Sequence, residues 1–229
     1  MSTPLLGISS MATRQVLAEL VAAYQQHSGQ RVAIESVGGV DAARRVAAGE
    51  AFDVVILASD AIDKLIASGH VLAGSKVDLV RSGVAVAVRV GAPKPDISSE
   101  AAVREAILKA RNISYSTGPS GVALAKLFER WGIADTIKDR IVTPSPGIPV
   151  GSLVAKGEVA LGFQQLSEML NLEGLTVLGP LPPAIQITTT FSAGVCATST
   201  QAEAVRAMLA YMHSPAATAA KQRQGMDPV

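Results

Sequence analysis

The sequence predicts an α/β fold, because short runs of β-branched and aliphatic residues alternate with longer segments of helical periodicity. Three such strand–helix units follow one another in the first third of the chain, which predicts a parallel sheet covered on both faces. With 229 residues, of which 48% are hydrophobic, the chain is long enough for one large domain or for two small lobes.

The first series of elements is defined by apolar strands and by the glycines that begin or end its helices. Apolar residues at helical spacing from Val16 to Tyr24 predict a first helix, which ends at Gly29. The predicted strands are Leu5–Ile8, Val32–Ser36 and Asp53–Leu57, and the later helices run from Gly39 to Val46 and from Ala61 to Ile66.

A second series follows a Pro-rich loop at residues 91–95, which ends a long predicted strand over Ser82–Val90. The predicted helices of this series are Ser98–Ala110, Ser120–Trp131 and Val150–Lys156, and its strands are Ile113–Ser116, Ile141–Thr143 and Val159–Gln164. Beyond it, residues 185–195 are predicted to be extended, Thr200 and Glu203 to form a capping box, and Ser214 and Pro215 to begin the last helix.

Charge and composition exclude several classes of protein. Twenty basic and nineteen acidic residues leave a net charge of +1, whereas a nucleic-acid binder needs a basic face. The longest apolar runs, such as Val54–Ala58, stop short of the ~18–20 residues of a spanning helix, so no membrane insertion is expected. The first residues lack the basic and apolar regions of a secretory leader, so none is expected within this chain.

The cysteine and histidine content predicts neither a metal site nor a cofactor. Cys196 is the single cysteine, and the sequence has no HExxH and no GxSxG motif. His27, His70 and His213 fall at or near predicted helix C-termini, where a cation complements the helix dipole. No residue is therefore predicted to be catalytic.

Glycines and small polar residues follow the predicted strands at the points where the strands end. Ligands of open α/β sheets bind outside these carboxyl ends, where glycines, hydroxyls and helix N-termini together attract an anion. The alternative is that the hydroxyls only cap helices. The predicted ligand-binding residues are Ser9, Ser10, Ser36, Gly38, Gly39, Ser116, Thr117, Ser120, Gly121, Pro149 and Val150.

The loop at residues 116–121 has more glycines and hydroxyls than a helix cap requires. It contains two glycines and three hydroxyl side chains, but it lacks the Gly-Lys-Ser/Thr ending of a P-loop. We therefore expect this loop to bind an anion that is not a nucleotide.

Arg14, one turn into the first predicted helix, is the basic residue expected near this site. Carboxylates favour a bidentate guanidinium, whereas a tetrahedral oxyanion needs only hydroxyl and N–H groups. An Arg14 that faces the site therefore favours a carboxylate ligand, and an Arg14 that lies in solvent favours an oxyanion.

Several segments resemble the extracellular solute-binding proteins of bacterial ABC importers, and among them the molybdate-binding group. These segments are Ile8–Ser10, 36–40, 49–57, Ser120–Gly121, 157–165 and 214–216. The resemblance implies the type II periplasmic binding protein fold, with lobe 1 formed by residues 1–81 and 191–229 and lobe 2 by residues 82–190. It also implies a hinge of two crossings, a ligand cleft between the lobes, and donors at Ser9 or Ser10, 36–39, 116–122 and 147–150.

The sequence departs from the molybdate-binding pattern at two places. The first turn reads Ser-Ser-Met-Ala-Thr-Arg, and residues 165–167 include no tyrosine, where molybdate binders have a ligand-binding one. Residues 77–79, 91–98, 115–116 and 162–165 are similar to the aconitate isomerase branch of the same fold. That branch implies an enzyme that binds a tricarboxylate and moves a proton along a three-carbon unit.

Taken together, the residues and the resemblance predict a receptor for a small anion, an oxyanion such as molybdate or a small carboxylate, that feeds an ABC permease. An isomerase of aconitate type is the alternative, and a cytosolic ligand-sensing module is a third reading. A receptor of this kind is expected in the periplasm, and the cytoplasm is the alternative location. No histidine or carboxylate at the predicted strand ends supplies the acid–base group that an isomerase requires.

Overall fold

The computed structural model describes residues 3–145 and 147–229, and the chain divides into two compact units. Unit 1 comprises Met1–Ser82 and Thr190–Val229, and unit 2 comprises Gly83–Thr189. The lobe boundaries predicted from the sequence lie between residues 81 and 82 and between residues 190 and 191. Each unit has its own hydrophobic core.

The strands of the described residues are spread over both units, and the longest of them, β4, begins in unit 1 and ends in unit 2. They are β1 (Leu5–Ser10), β2 (Val32–Val37), β3 (Val54–Ala58), β4 (Val77–Arg89), β5 (Ile113–Tyr115), β6 (Leu161–Gln165), β7 (Leu175–Pro180), β8 (Thr188–Val195) and β9 (Asp227–Pro228).

The helices lie mostly between these strands, as expected for an α/β chain. They are α1 (Arg14–Ser28), α2 (Gly39–Ala47), α3 (Ser59–Ala67), α4 (Glu100–Lys109), α5 (Pro119–Arg130), α6 (Ala134–Ile137), α7 (Val150–Ala155), α8 (Leu166–Met169), α9 (Ala202–His213) and α10 (Thr218–Arg223). Gly29 ends α1 in the left-handed conformation at φ 72°, as its position predicts.

In the sheet of unit 1, β1 pairs in parallel with the edge strand β2 on one side and with β3 on the other. Strand β8 then pairs antiparallel with β3. Apolar side chains of α1, α9 and α10 cover one face, and those of α2 and α3 cover the other. Because Ser9 pairs with Ser36 in the register of β1 and β2, the carboxyl ends of these strands lie side by side.

The sheet of unit 2 is built around the second half of β4, which pairs antiparallel with both β6 and β7. Strand β5 pairs in parallel with β6, with Tyr115 opposite Phe163. The parallel sheet predicted from the first three strand–helix units is present in β1, β2 and β3. The sequence predicts no strand direction for the later strands, of which β4, β7 and β8 pair antiparallel.

Four local predictions are wrong. Strand β7 is absent from the prediction, because its residues do not alternate between buried and exposed: Leu175 to Gly179 are all partly buried. Ile141 forms only an isolated bridge to Ile113 in place of a strand. Ser99, rather than Ser98, accepts the capping hydrogen bond of α4, from Ala102 N, and α9 begins after Gln201 without any side-chain cap.

Candidate functional site

Ser9 and Ser36 form a hydrogen-bonded pair of hydroxyls where β1 and β2 end. Their Oγ atoms are 2.8 Å apart. Ser9 is fully buried, whereas Ser36 is only partly buried. A buried Ser9 does not contact a ligand directly, so any effect of Ser9 on a ligand acts through Ser36.

Ser10 lies at the junction of β1 and the short 3-10 turn Met11–Thr13. It is the N-cap of that turn, and its Oγ accepts a hydrogen bond from Ala12 N at 3.4 Å. Its carbonyl oxygen accepts a hydrogen bond from the hydroxyl of buried Thr13. The capping role that the sequence left open is therefore present at Ser10, and the partly exposed hydroxyl keeps its proton for a further acceptor.

Gly38 and Gly39 begin α2, and no contact in the fold requires glycine at either position. A β-carbon on Gly38 would have no neighbour within 4 Å, and one on Gly39 would have Ser10 Oγ as its nearest atom at 3.7 Å. The φ angle of Gly38, −56°, suits any residue. The two glycines thus leave the backbone accessible beside Ser10, at a helix start without a side-chain cap.

Arg14 and Ser36 line the same cavity in unit 1, which has a volume of about 420 Å³. The rest of its lining is apolar and consists of Leu17, Ala18, Val21 and Ile34. Arg14 lines this cavity and is also exposed to solvent, so its position alone does not choose between the carboxylate and the oxyanion predictions. It forms no ion pair with any carboxylate of the described residues. A guanidinium without an internal partner, beside a hydroxyl and an apolar wall, suits a small organic anion.

Unit 2 has a second serine pair of the same design. The Ser116 and Ser120 Oγ atoms are 2.9 Å apart, with Ser120 buried and Ser116 partly exposed. Thr117 is exposed in the same loop. The fold requires glycine at position 121, because a β-carbon on Gly121 would lie 1.6 Å from the Ser116 carbonyl oxygen.

Pro149 and Val150 offer less than the sequence suggested. Pro149 is the N-cap of α7 and has no N–H, and the Val150 side chain is buried in an apolar cluster. The next amide, Gly151 N–H, donates to Gln164 Oε1 at 3.0 Å. The Pro149 carbonyl oxygen accepts from Ser152 N–H at 3.1 Å, and Val150 as a whole is 1% exposed. Neither residue therefore presents an accessible N–H to an anion, which corrects the prediction from the sequence.

Glu168 is a buried titratable residue next to the predicted site segments, and the sequence analysis did not identify it. It lies in α8, directly after the carboxyl end of β6, and its Oε1 accepts a hydrogen bond from Gln164 Nε2 at 2.9 Å. Burial raises the pKa of Glu168 to about 7 from its ordinary 4.5, and the Gln164 hydrogen bond opposes that shift. The available signal was a carboxylate four residues beyond a predicted strand end, but its burial depends on elements distant in the sequence.

The described residues hold no group of three or more His, Cys, Asp or Glu side chains that could bind a metal ion. None of their helices is both long and apolar enough to cross a bilayer. Cys196 is buried, and burial raises the pKa of its thiol to about 12, so it is an inert apolar residue.

Similarity to known proteins identifies the family. A family model for bacterial extracellular solute-binding proteins matches residues 5–227. The chain belongs to this family. Solute-binding proteins bind small ligands, and the mixed α/β fold of this chain is that of periplasmic binding proteins.

Three relatives of this solute-binding protein illustrate the range of ligands on the fold. An aconitate isomerase of Pseudomonas sp. is 39% identical over 245 residues, which cover 100% of this chain and 92% of the isomerase. The periplasmic molybdate-binding protein of Azotobacter vinelandii superposes with a TM-score of 0.80 at 22% identity, over 97% of this chain and 98% of that one. The sulfate-binding protein SubI of Mycobacterium tuberculosis H37Rv reaches 0.82 at 17% identity, over 100% and 88%.

Proposed function

We propose that this solute-binding protein is an isomerase of small unsaturated polycarboxylates of the aconitate type. The observation that carries the proposal is Arg14, an arginine without an internal ion-pair partner that lines one cavity with Ser36. The full-length relative named as an aconitate isomerase supports the same class of ligand.

The chemistry of the donors favours a carboxylate over an inorganic oxyanion. A planar guanidinium matches the two oxygens of a carboxylate, and the apolar wall formed by Leu17, Val21 and Ile34 suits a carbon skeleton. Proteins that bind a bare tetrahedral anion need neither feature, because hydroxyl and N–H groups suffice. The net charge of +1 is compatible with a site that uses few cations.

The donors that we propose for the ligand are those whose polar atoms remain accessible. In unit 1 they are Arg14, Ser36, the Ser10 hydroxyl and the backbone at Gly38 and Gly39. In unit 2 they are the Ser116 hydroxyl and Thr117. Pro149 and Val150 contribute no donor, because proline has no N–H and Val150 is buried. Ser9, Ser120 and Gly121 act in support, since both serines are buried behind a more accessible hydroxyl.

The test is direct observation of cis- and trans-aconitate in the presence of the purified protein. Proton NMR separates the vinyl signals of the two isomers, so conversion is followed without a coupled enzyme. We expect interconversion from either side to the same equilibrium ratio. No conversion at stoichiometric protein, with the fold verified by circular dichroism, would reject the isomerase.

A receptor for a small anion that delivers its ligand to an ABC permease is the second candidate, and family membership favours it. A receptor of this kind acts in the periplasm. It binds its ligand tightly and releases it unchanged, whereas an isomerase binds both isomers and converts them. Thermal-shift measurements against aconitate, citrate, molybdate, tungstate, sulfate and phosphate identify the ligand, because ligand binding stabilises the folded state by ~3–4 kcal/mol at 100–1,000 times Kd. The NMR assay then separates the two candidates, since a receptor leaves that ligand unconverted.

A further inference from the structure

The carboxyl end of the unit 2 sheet brings a titratable side chain next to two predicted ligand-binding segments. Strands β5 and β6 are parallel neighbours with Tyr115 opposite Phe163, so Ser116 and Gln164 lie side by side at the carboxyl ends of these strands. Helix α7 packs on β6, which brings the turn at Pro149 to the same end of the sheet. Glu168 lies in α8, which begins directly after β6.

Gln164 fixes the Glu168 carboxyl through two hydrogen bonds of its own amide. The side chain of Gln164 is 4% exposed, its Oε1 accepts from Gly151 N–H at 3.0 Å, and its Nε2 donates to Glu168 Oε1 at 2.9 Å. The first bond determines the orientation of the amide, because only the oxygen can accept from the backbone. Gln164 can therefore only donate to Glu168, and the second carboxylate oxygen has no hydrogen bond to any described residue.

The described elements that pack around α8 place no charged group against the ionised carboxylate. The sequences of β6, β7 and α7 contain no charged residue, and α8 contributes only Glu168 itself. In the second half of β4, whose alanines pack against α8, the single charged residue is Arg89, and its guanidinium lies against Gly157, in the turn between α7 and β6. A fixed negative charge here would repel an anionic ligand, whereas a carboxyl that exchanges its proton near neutral pH serves proton transfer.

We propose that the Glu168 carboxyl takes a proton from the bound polycarboxylate and returns it, and that Gln164 is its positioning residue. This inference rests on the proposed isomerase function. Glu168 removes a proton from the CH2 carbon of the propene unit, and the C–H electron pair becomes part of an allylic carbanion. The double bond shifts by one carbon, and the protonated Glu168, whose carboxyl proton exchanges with water, delivers one proton to the other end of the unit, so that no oxidant or further reactant is needed.

The experiment compares Glu168→Gln with the wild type and with Glu173→Gln, an exposed carboxylate in the turn after α8. We expect Glu168→Gln to lower kcat by about 10²- to 10⁴-fold while trans-aconitate binds as tightly as before or more tightly. Glu173→Gln should match the wild type in both respects. A Glu168→Gln protein that keeps kcat within about threefold of the wild type would overturn the inference.

Two further measurements separate this inference from the proposed function. In D2O, a working proton acceptor exchanges the CH2 protons of trans-aconitate, which NMR detects even without net isomerisation. Exchange in the wild type that disappears in Glu168→Gln supports the inference and, if no isomer forms, rejects only the isomerase. Bound trans-aconitate without exchange in the wild type would overturn the role of Glu168.

The second measurement is the pH–rate profile of an active wild type and of Gln164→Met. The variant should shift the acidic limb to higher pH, because the Gln164 hydrogen bond lowers the pKa of Glu168. An unchanged limb would overturn the positioning role of Gln164.

Discussion

The hydroxyls of Ser9 and Ser36 lie 2.8 Å apart across the parallel strands β1 and β2, with the buried member behind the more accessible one. Ser9 Oγ also lies 3.4 Å from the Ser10 carbonyl oxygen, a longer contact than the one to Ser36. When Ser9 donates to Ser36 Oγ, the Ser36 proton is left for a ligand anion. Ser120 and Ser116 repeat the arrangement at 2.9 Å in unit 2. In the site that we propose, each buried serine therefore orients a more accessible donor.

Replacing Ser36 with alanine should weaken trans-aconitate binding by about 1–3 kcal/mol, because a hydrogen bond to a charged group is lost. Ser9→Ala should weaken binding less and reduce the free energy of unfolding by about 1 kcal/mol. Isothermal titration and urea unfolding measure the two quantities, with Ser68→Ala, at the end of α3, as the control. A larger binding loss for Ser9→Ala than for Ser36→Ala would reverse the assigned roles.

Arg14→Gln should weaken aconitate binding by about 2 kcal/mol, since the charged bidentate donor is removed. Arg14→Lys should recover only part of that loss, because an ammonium lacks the planar fork. Arg44→Gln is the matched control, since Arg44 is exposed on α2 and pairs only with Asp41. Unchanged affinity in both Arg14 variants would exclude this arginine from the binding site.

Gly38→Ala and Gly121→Ala should separate a glycine that serves the ligand from a glycine that serves the fold. The Gly38 variant should keep its unfolding free energy to within about 0.5 kcal/mol, because its β-carbon has no neighbour within 4 Å. It should lose ligand affinity, because the same β-carbon obstructs the approach of a ligand to the backbone. The Gly121 variant should lose about 3 kcal/mol of stability through the contact with the Ser116 carbonyl oxygen. Urea unfolding of both proteins is the measurement, and equal losses would contradict this division.

Glu168 should make stability fall with rising pH. Its pKa is 4.5 in an unfolded chain and about 7 in the fold, so the folded state binds more protons between these values. The carboxyl therefore contributes stability below about pH 4.5 that is lost as pH rises to 7, by at most about 3 kcal/mol. Urea unfolding at several pH values should show Glu168→Gln gaining on the wild type across this interval, and a constant difference would contradict the raised pKa.

The strand-end serines could be predicted from the sequence, because a hydroxyl residue directly after an apolar run is visible in the local sequence pattern. It did not predict that Ser9 is buried and Ser36 accessible, since that depends on the register of β1 with β2. Glu168 was missed for a related reason. Its raised pKa comes from burial in α8, which packs on β6 and on β7, the strand that the pattern also missed.

Calorimetric titration of the ligand-free protein with trans-aconitate and with molybdate tests the central claim most directly. An organic anion held by the Arg14 guanidinium beside an apolar wall should bind at least tenfold more tightly than molybdate, and Arg14→Gln should remove that preference. Tighter binding of molybdate, unaffected by Arg14→Gln, would contradict the account.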